Sequence, residues 1–300
     1  PLEAQGKDTL FPGWDAVEAE ALEDAPAMVL TVRNAAGEIV RHIEGPATAG
    51  FHRVAWDLRY PVTDAWLPPE ERAFQWQLPA GVLVAPGTFS VSLGRRVDGK
   101  LEDLGQSQSF EVYSSREPTL PGSDQARRVE FALAVDELKR RTSGAIKAVE
   151  EFGRSTDAIR ETLASSNAPP GLYTRTDKLA DRATRLLDRL RQNPERDTLG
   201  DSGPVPVASR LGFAGSGARS QAYGPTPAQT RAFEIADAEF AEISAELGKL
   251  MGRDYRQLMR ALDAAGVPWT PGRGIPGSGA APGGKGKAAQ REKSATPGDS

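Results

Sequence analysis

The chain has 300 residues, a formal net charge of −4, 39% hydrophobic and 26% charged residues, no cysteine and two histidines. That balance suits about two globular domains. It excludes disulfides, thiolate chemistry and multi-histidine metal centres, and it argues against a nucleic-acid platform, which needs a basic face. The chain opens at Pro1 with neither a methionine nor a signal peptide, so the expectation is a piece whose N-terminal part lies elsewhere.

Residues 1–26 are polar and irregular and read as a linker from an upstream domain, with one apolar island, Leu10 to Asp15. Ala27 to Gly45 then alternates apolar and polar residues on either side of Asn34-Ala35-Ala36-Gly37, which predicts a β-hairpin. Gly50 to Leu58 reads as a third strand, with Val54, Trp56 and Leu58 inward and Arg53, Ala55 and Asp57 outward. Pro86-Gly87 opens a strand over Thr88 to Leu93, and Asp98-Gly99 is a hairpin turn leading to a return strand over Leu104 to Tyr113. Short alternating strands with turns between them predict an immunoglobulin or fibronectin III-like β-sandwich over residues 27–116.

After Pro118 the apolar period lengthens to 3.6. A helix is expected from Ser123 as N-cap, with Phe131, Val135, Leu138, Val149, Phe152 and Ile159 among its stripe, ending at Asn167 to Gly171. A second is expected from Thr174, on an acidic capping box reaching Asp177, and a short one around Val207 to Leu211. A third long helix starts at Thr226-Pro227-Ala228-Gln229 and runs past Leu262 to Gly266 and Pro268. One-sided stripes predict an antiparallel α-helical bundle over residues 121–270, giving an α+β multidomain chain. Residues 271–300, poor in large apolar side chains, are expected to form a disordered tail. No segment approaches eighteen consecutive apolar residues, so no membrane span is expected.

Signs of chemistry are sparse. Trp14-Asp15 and Trp56-Asp57 lie 42 residues apart, near the ~40–45-residue period of a propeller blade, but their flanks do not repeat. Carboxylates are abundant, and Glu234, Asp237 and Glu246 fall on polar helix faces. His42 and His52 read as surface or edge histidines, and the serines lack a nucleophile elbow. GFAGSG, Gly212 to Gly217, lacks both the preceding strand and the following Lys-Ser/Thr of a phosphate loop and reads as a flexible connector. No catalytic, metal or cofactor residue is nominated. The binding candidates are the aromatics of the 59–85 insertion, Trp66, Phe74 and Trp76, which could stack on a sugar or pack on a neighbouring domain.

VRNAAGEIVRHIEGPATAGFHRVAWDLRYP followed by APGTFSVSL resembles the sandwich that follows the propellers of bacterial sortilin-like, BNR-repeat proteins, often labelled glycosyl-hydrolase-like. Phe89 stands at the usual Tyr position of that pattern and Asn34 at the Asp position. Thr226 to Gly274 is similar to the helical region closing those proteins. The resemblance implies a secreted or periplasmic protein with propellers upstream, in which this portion is a non-catalytic accessory region packing on them. The alternative is a carbohydrate-binding module, or part of a glycan-acting hydrolase, with a protein or glycan ligand. The resemblance supplies no catalytic residues.

Overall fold

Asn34 closes the first hairpin with its own side chain. Its Oδ1 accepts from the amides of Ala36 at 3.1 Å and Glu38 at 2.9 Å, while Gly37 takes a φ of +81° that an L side chain would resist. This Asx chemistry joins β1 (Ala27–Asn34) to β2 (Ile39–Gly45) where the sequence predicts it. A second hairpin joins β3 (Gly87–Val97) to β4 (Lys100–Val112), turning at Asp98 and Gly99, both with positive φ as a type I′ turn requires. In the computed structural model the described residues are 11–66, 80–115, 124–201, 203–220 and 224–274.

The fold is α+β. The four strands make one antiparallel sheet in the order β2-β1-β3-β4. One face is apolar: Val32, Val40 and Phe89 are buried with Val84, and Trp56, Tyr60, Val91 and Phe110 pack on them. The other face is rich in hydroxyls, since the register sets Thr31 beside His42 and Ser92, Ser92 beside Ser107, and Ser90 beside Ser109. A sheet with one apolar face needs one cover.

That cover corrects the expected third strand. Gly50 to Leu58 has no strand conformation and adds no ladder to the sheet. Val54 and Trp56 are half-buried and Arg53, Ala55 and Asp57 exposed, as the alternation suggests, but Leu58 is exposed too, with φ +58°. Asp57 Oδ1 accepts from the Arg59 amide at 3.1 Å and the Trp56 indole donates to the Arg59 carbonyl at 3.1 Å, so the chain turns instead of extending. It then pairs briefly with residues 82–84: Tyr60 N donates to Val82 O and Val84 N to Leu58 O, each at 2.9 Å. Gly81 is required here, because a Cβ would overlap the Tyr60 carbonyl.

The helices are α1 (Trp14–Ala21), α2 (Gln125–Ala164), α3 (Pro170–Leu190), α4 (Pro194–Thr198), α5 (Val207–Ser220), α6 (Pro227–Leu247) and α7 (Tyr255–Ala264). The expected N-cap Ser123 and the 116–121 boundary lie outside the described residues; Asp124 caps α2, its Oδ1 accepting from the Arg127 amide at 2.9 Å. α3 begins four residues before the expected Thr174, because Pro170 takes a helix-start position where its missing N–H costs nothing. The box at the start of α6 forms as read, with Gln229 N donating to Thr226 Oγ1 at 3.3 Å and Thr226 N to Gln229 Oε1 at 2.9 Å. The expected third long helix is interrupted by a π segment, Gly248–Asp254, which carries two glycines. GFAGSG is helical within α5, a correction of the connector reading: Ala214 is fully buried, and a Cβ on Gly215 would stand 2.8 Å from Lys139 Nζ and 3.3 Å from Val135 Cγ1. The glycine permits a close helix approach there.

The chain divides into two units, residues 1–148 with 186–245 and residues 149–185 with 246–300. The first holds the sheet and a helical core that includes Val135, Leu138, Leu211, Phe240 and Ile243. The second has Phe152, Ile159, Leu179, Leu250, Leu258 and Leu262 buried. It also includes Val267 to Gly274, so Pro271 to Gly274, expected to open the tail, are folded: Arg273 is buried and donates to the carbonyls of Val267 at 3.2 Å and Pro268 at 2.6 Å. Residues 275–300 lie outside the described residues.

Candidate functional site

Beside the apolar face of the sheet lies a cleft of about 660 Å³, lined by residues of β1, β2, β3 and the segment 46–54. Strand alternation supplies its floor. Met28 and Leu30 of β1 share a face with Leu93 of β3, and Leu30 and Leu93 are register partners. β2 ends at Gly45, opposite Met28, and a Cβ there would meet Val54 Cγ2 at 3.2 Å, so the missing side chain lets Val54 lean over the sheet. Pro46 to Arg53 completes the wall as an irregular loop.

The lining residues with polar side chains are Thr48, His52 and Arg53. His52 Nε2 lies 2.6 Å from the Thr48 carbonyl, which only accepts, so the ring proton sits on Nε2. Arg53 makes no hydrogen bond or ion pair with any described residue. Among the described residues no carboxylate lines the cleft, and its histidine is held to the Thr48 carbonyl through Nε2. His42, the other histidine, faces Thr31 at 3.0 Å on the edge strand β2, as expected of an edge histidine.

Elsewhere the shifted titrating groups have structural causes. Burial pushes the Tyr60 phenol up, helped by Glu38. The Arg140 guanidinium holds Glu137 below the usual carboxylate range, and Arg182, with Arg253, does so for Asp254. Burial likewise raises Tyr255. Among the described residues no group of three or more His, Asp or Glu is placed to hold a metal ion, and no helix is long and apolar enough to cross a membrane.

Of the aromatics nominated from sequence, Trp66 is 75% exposed, while Phe74 and Trp76 lie outside the described residues. The structure adds other exposed rings in the same unit. Phe11 and Trp14 pair edge to face at 5.3 Å, 62% and 72% exposed, and Phe51 is fully exposed beside the cleft-forming His52. The cleft itself escaped sequence reading because Gly50 to Leu58 looks like a strand. The run of Gly45, Pro46 and Gly50, a loop composition, is the signal that marks it.

No protein-family model, curated protein or solved structure matches this chain.

Proposed function

We propose that the chain is a non-catalytic accessory region of a secreted propeller protein, docking on β-propeller domains that lie upstream in the same polypeptide. The exposed Phe11–Trp14 pair carries this reading. Rings packed together yet left in water are characteristic of surfaces completed by another domain. The fully exposed Phe51, on an irregular segment of the same unit, adds to it. In the same reading the sheet is one layer of an immunoglobulin-like sandwich and the long helices form an antiparallel bundle. Hydrogen exchange tests it: amides of α1 and of residues 46–54 exchange more slowly in the whole polypeptide than in this chain alone, and equal exchange overturns the docking.

The exposure of Trp66 favours one alternative, a carbohydrate-binding module, since a free indole face can stack on a sugar ring. Affinity electrophoresis with polysaccharides separates the two: retardation lost in Trp66→Ala supports sugar binding, and unretarded parent chain removes it.

A further inference from the structure

We propose that the cleft over β1 and β3 binds a small organic anion with an apolar body, a medium-chain carboxylate being the simplest member of the class. The inference stands independently of the docking role, because it rests on the cleft and on one cation.

Two observations narrow the ligand. First, the floor is apolar and already open. Met28, Leu30 and Leu93 are half-buried, Val54 overhangs them, and the volume of about 660 Å³ falls within the range of small-molecule sites, ~300–1,000 Å³. An alkyl or aryl body seated there takes both its own surface and the floor out of water. Second, Arg53 is among the residues lining the cleft, and no described residue uses its guanidinium. The chain has 41 acidic residues against 37 basic ones, and most arginines of the helices are paired with carboxylates, yet among the described residues no carboxylate lines this cleft. A guanidinium on a lining residue can meet the head of an entering ligand, and its planar fork of donors suits a carboxylate, which accepts two parallel bonds. His52 cannot compete for that group through Nε2, which the Thr48 carbonyl holds.

Each half excludes a different ligand. An inorganic anion would meet Arg53 in water and leave the floor bare. A neutral hydrocarbon or alcohol would cover the floor and gain nothing from the guanidinium. Only an amphiphilic anion uses both, which is why the class is named by its two ends.

Isothermal titration calorimetry of the whole chain with octanoate, 1-octanol and inorganic phosphate tests this. Octanoate binds one-to-one and at least about tenfold more tightly than either comparison compound, the size expected of one charge-assisted contact in a partly desolvated site. Arg53→Ala removes about tenfold of the octanoate affinity and leaves octanol unchanged. Ala49→Trp, in the exposed wall loop, fills the cleft and abolishes octanoate binding, with circular dichroism checking that both variants are folded. Absence of octanoate binding by the parent chain, equal affinity in Arg53→Ala, or binding that survives Ala49→Trp overturns the proposal. Because Arg53 is exposed and pairs with no described residue, its variant keeps the test decisive even if the bulkier one misfolds.

Discussion

The Ser155 hydroxyl lies 2.6 Å from the Tyr255 phenol, although a hundred residues separate them in the chain. Ser155 also donates to the Pro271 carbonyl at 2.9 Å, which leaves the phenol to donate to the serine. The pair therefore ties α2, α7 and the 267–274 segment through one hydroxyl. Tyr255 adds its ring edge to Phe152, with centroids 5.0 Å apart, and Gly272 admits the arrangement because a Cβ there would sit 2.5 Å from Ser155 Oγ. Tyr255→Phe keeps the ring and loses the bond, so a loss of about 1 kcal/mol is expected in urea unfolding at pH 7. Burial raises the phenol's pKa, so the fold favours its protonated form. That contribution is complete below the unfolded value of about 10 and fades as pH rises beyond it. The parent should therefore lose stability in alkali more steeply than Tyr255→Phe, and parallel profiles would remove the phenol from the account.

Trp56 is the next test, because it separates a core residue from a binding residue. Its ring meets Phe89 at 5.4 Å and Phe110 at 6.1 Å, both edge to face, and its indole N–H is spent on the Arg59 carbonyl. A fully buried tryptophan replaced by alanine costs roughly 3–5 kcal/mol; Trp56 is half-buried, so about 2–3 kcal/mol is expected. Trp66→Ala, by contrast, should change stability by less than about 0.5 kcal/mol, since its ring lies in water. Chemical denaturation of both variants checks the contrast, and similar losses would mean that Trp66 is packed.

These residues show where sequence reading reached the fold and where it stopped. Period-two alternation located the four strands seen among the described residues, and the two hairpin turns followed from Asn34 and from Asp98-Gly99, whose chemistry is local. The Thr226–Gln229 box is equally local and formed as read. The errors came where local pattern and tertiary demand disagree. Val54 and Trp56 alternate because both face the same apolar sheet surface, and a covering loop produces that burial pattern as well as a strand does. GFAGSG has the composition of a loop, yet α5 needs its glycine for close approach to Lys139 and Val135. Arg273 looked like the start of a polar tail because nothing nearby in sequence hints at the buried acceptors it serves. The cleft was invisible for a similar reason: its floor residues belong to two strands and its cation to a loop.

Asp254 provides a prediction of pH dependence. The Arg182 guanidinium donates to it at 2.8 Å, and Arg253 contributes at 3.1 Å, which together hold the carboxyl below its ordinary range. A depressed carboxylate stabilises the fold above its unfolded pKa of about 3.9 and loses that contribution as pH falls through the folded value. Asp254→Asn should therefore cost about 0.5–1 kcal/mol at pH 7. The cost stays small because Arg182 is 40% exposed and solvent screens the pair. The difference between parent and variant should shrink as pH falls below about 4, as followed by thermal unfolding. A difference independent of pH would assign the loss to shape rather than charge.

Arg273 carries the heaviest consequence in the second unit. Its side chain is only 3% exposed and is paired with Asp263, while the same guanidinium donates to the Val267 and Pro268 carbonyls. The Trp269 indole, in turn, donates to the Arg273 carbonyl at 3.1 Å, so side chain and backbone of one residue hold both ends of the segment. Removing the guanidinium leaves two carbonyls without this donor, whereas Asp263, half in solvent, is rehydrated. Arg273→Ala is accordingly expected to cost about 3 kcal/mol, most of it from the lost hydrogen bonds, above all to the carbonyl of buried Val267, rather than from the ion pair. Arg273→Lys should recover less than half of that, because one ammonium cannot reproduce a planar fork aimed at three acceptors. Limited proteolysis offers the readout: cleavage within residues 267–274 appears in Arg273→Ala, is intermediate in Arg273→Lys and is absent in the parent. Full protection in the lysine variant would show that charge alone, without the fork geometry, closes the segment.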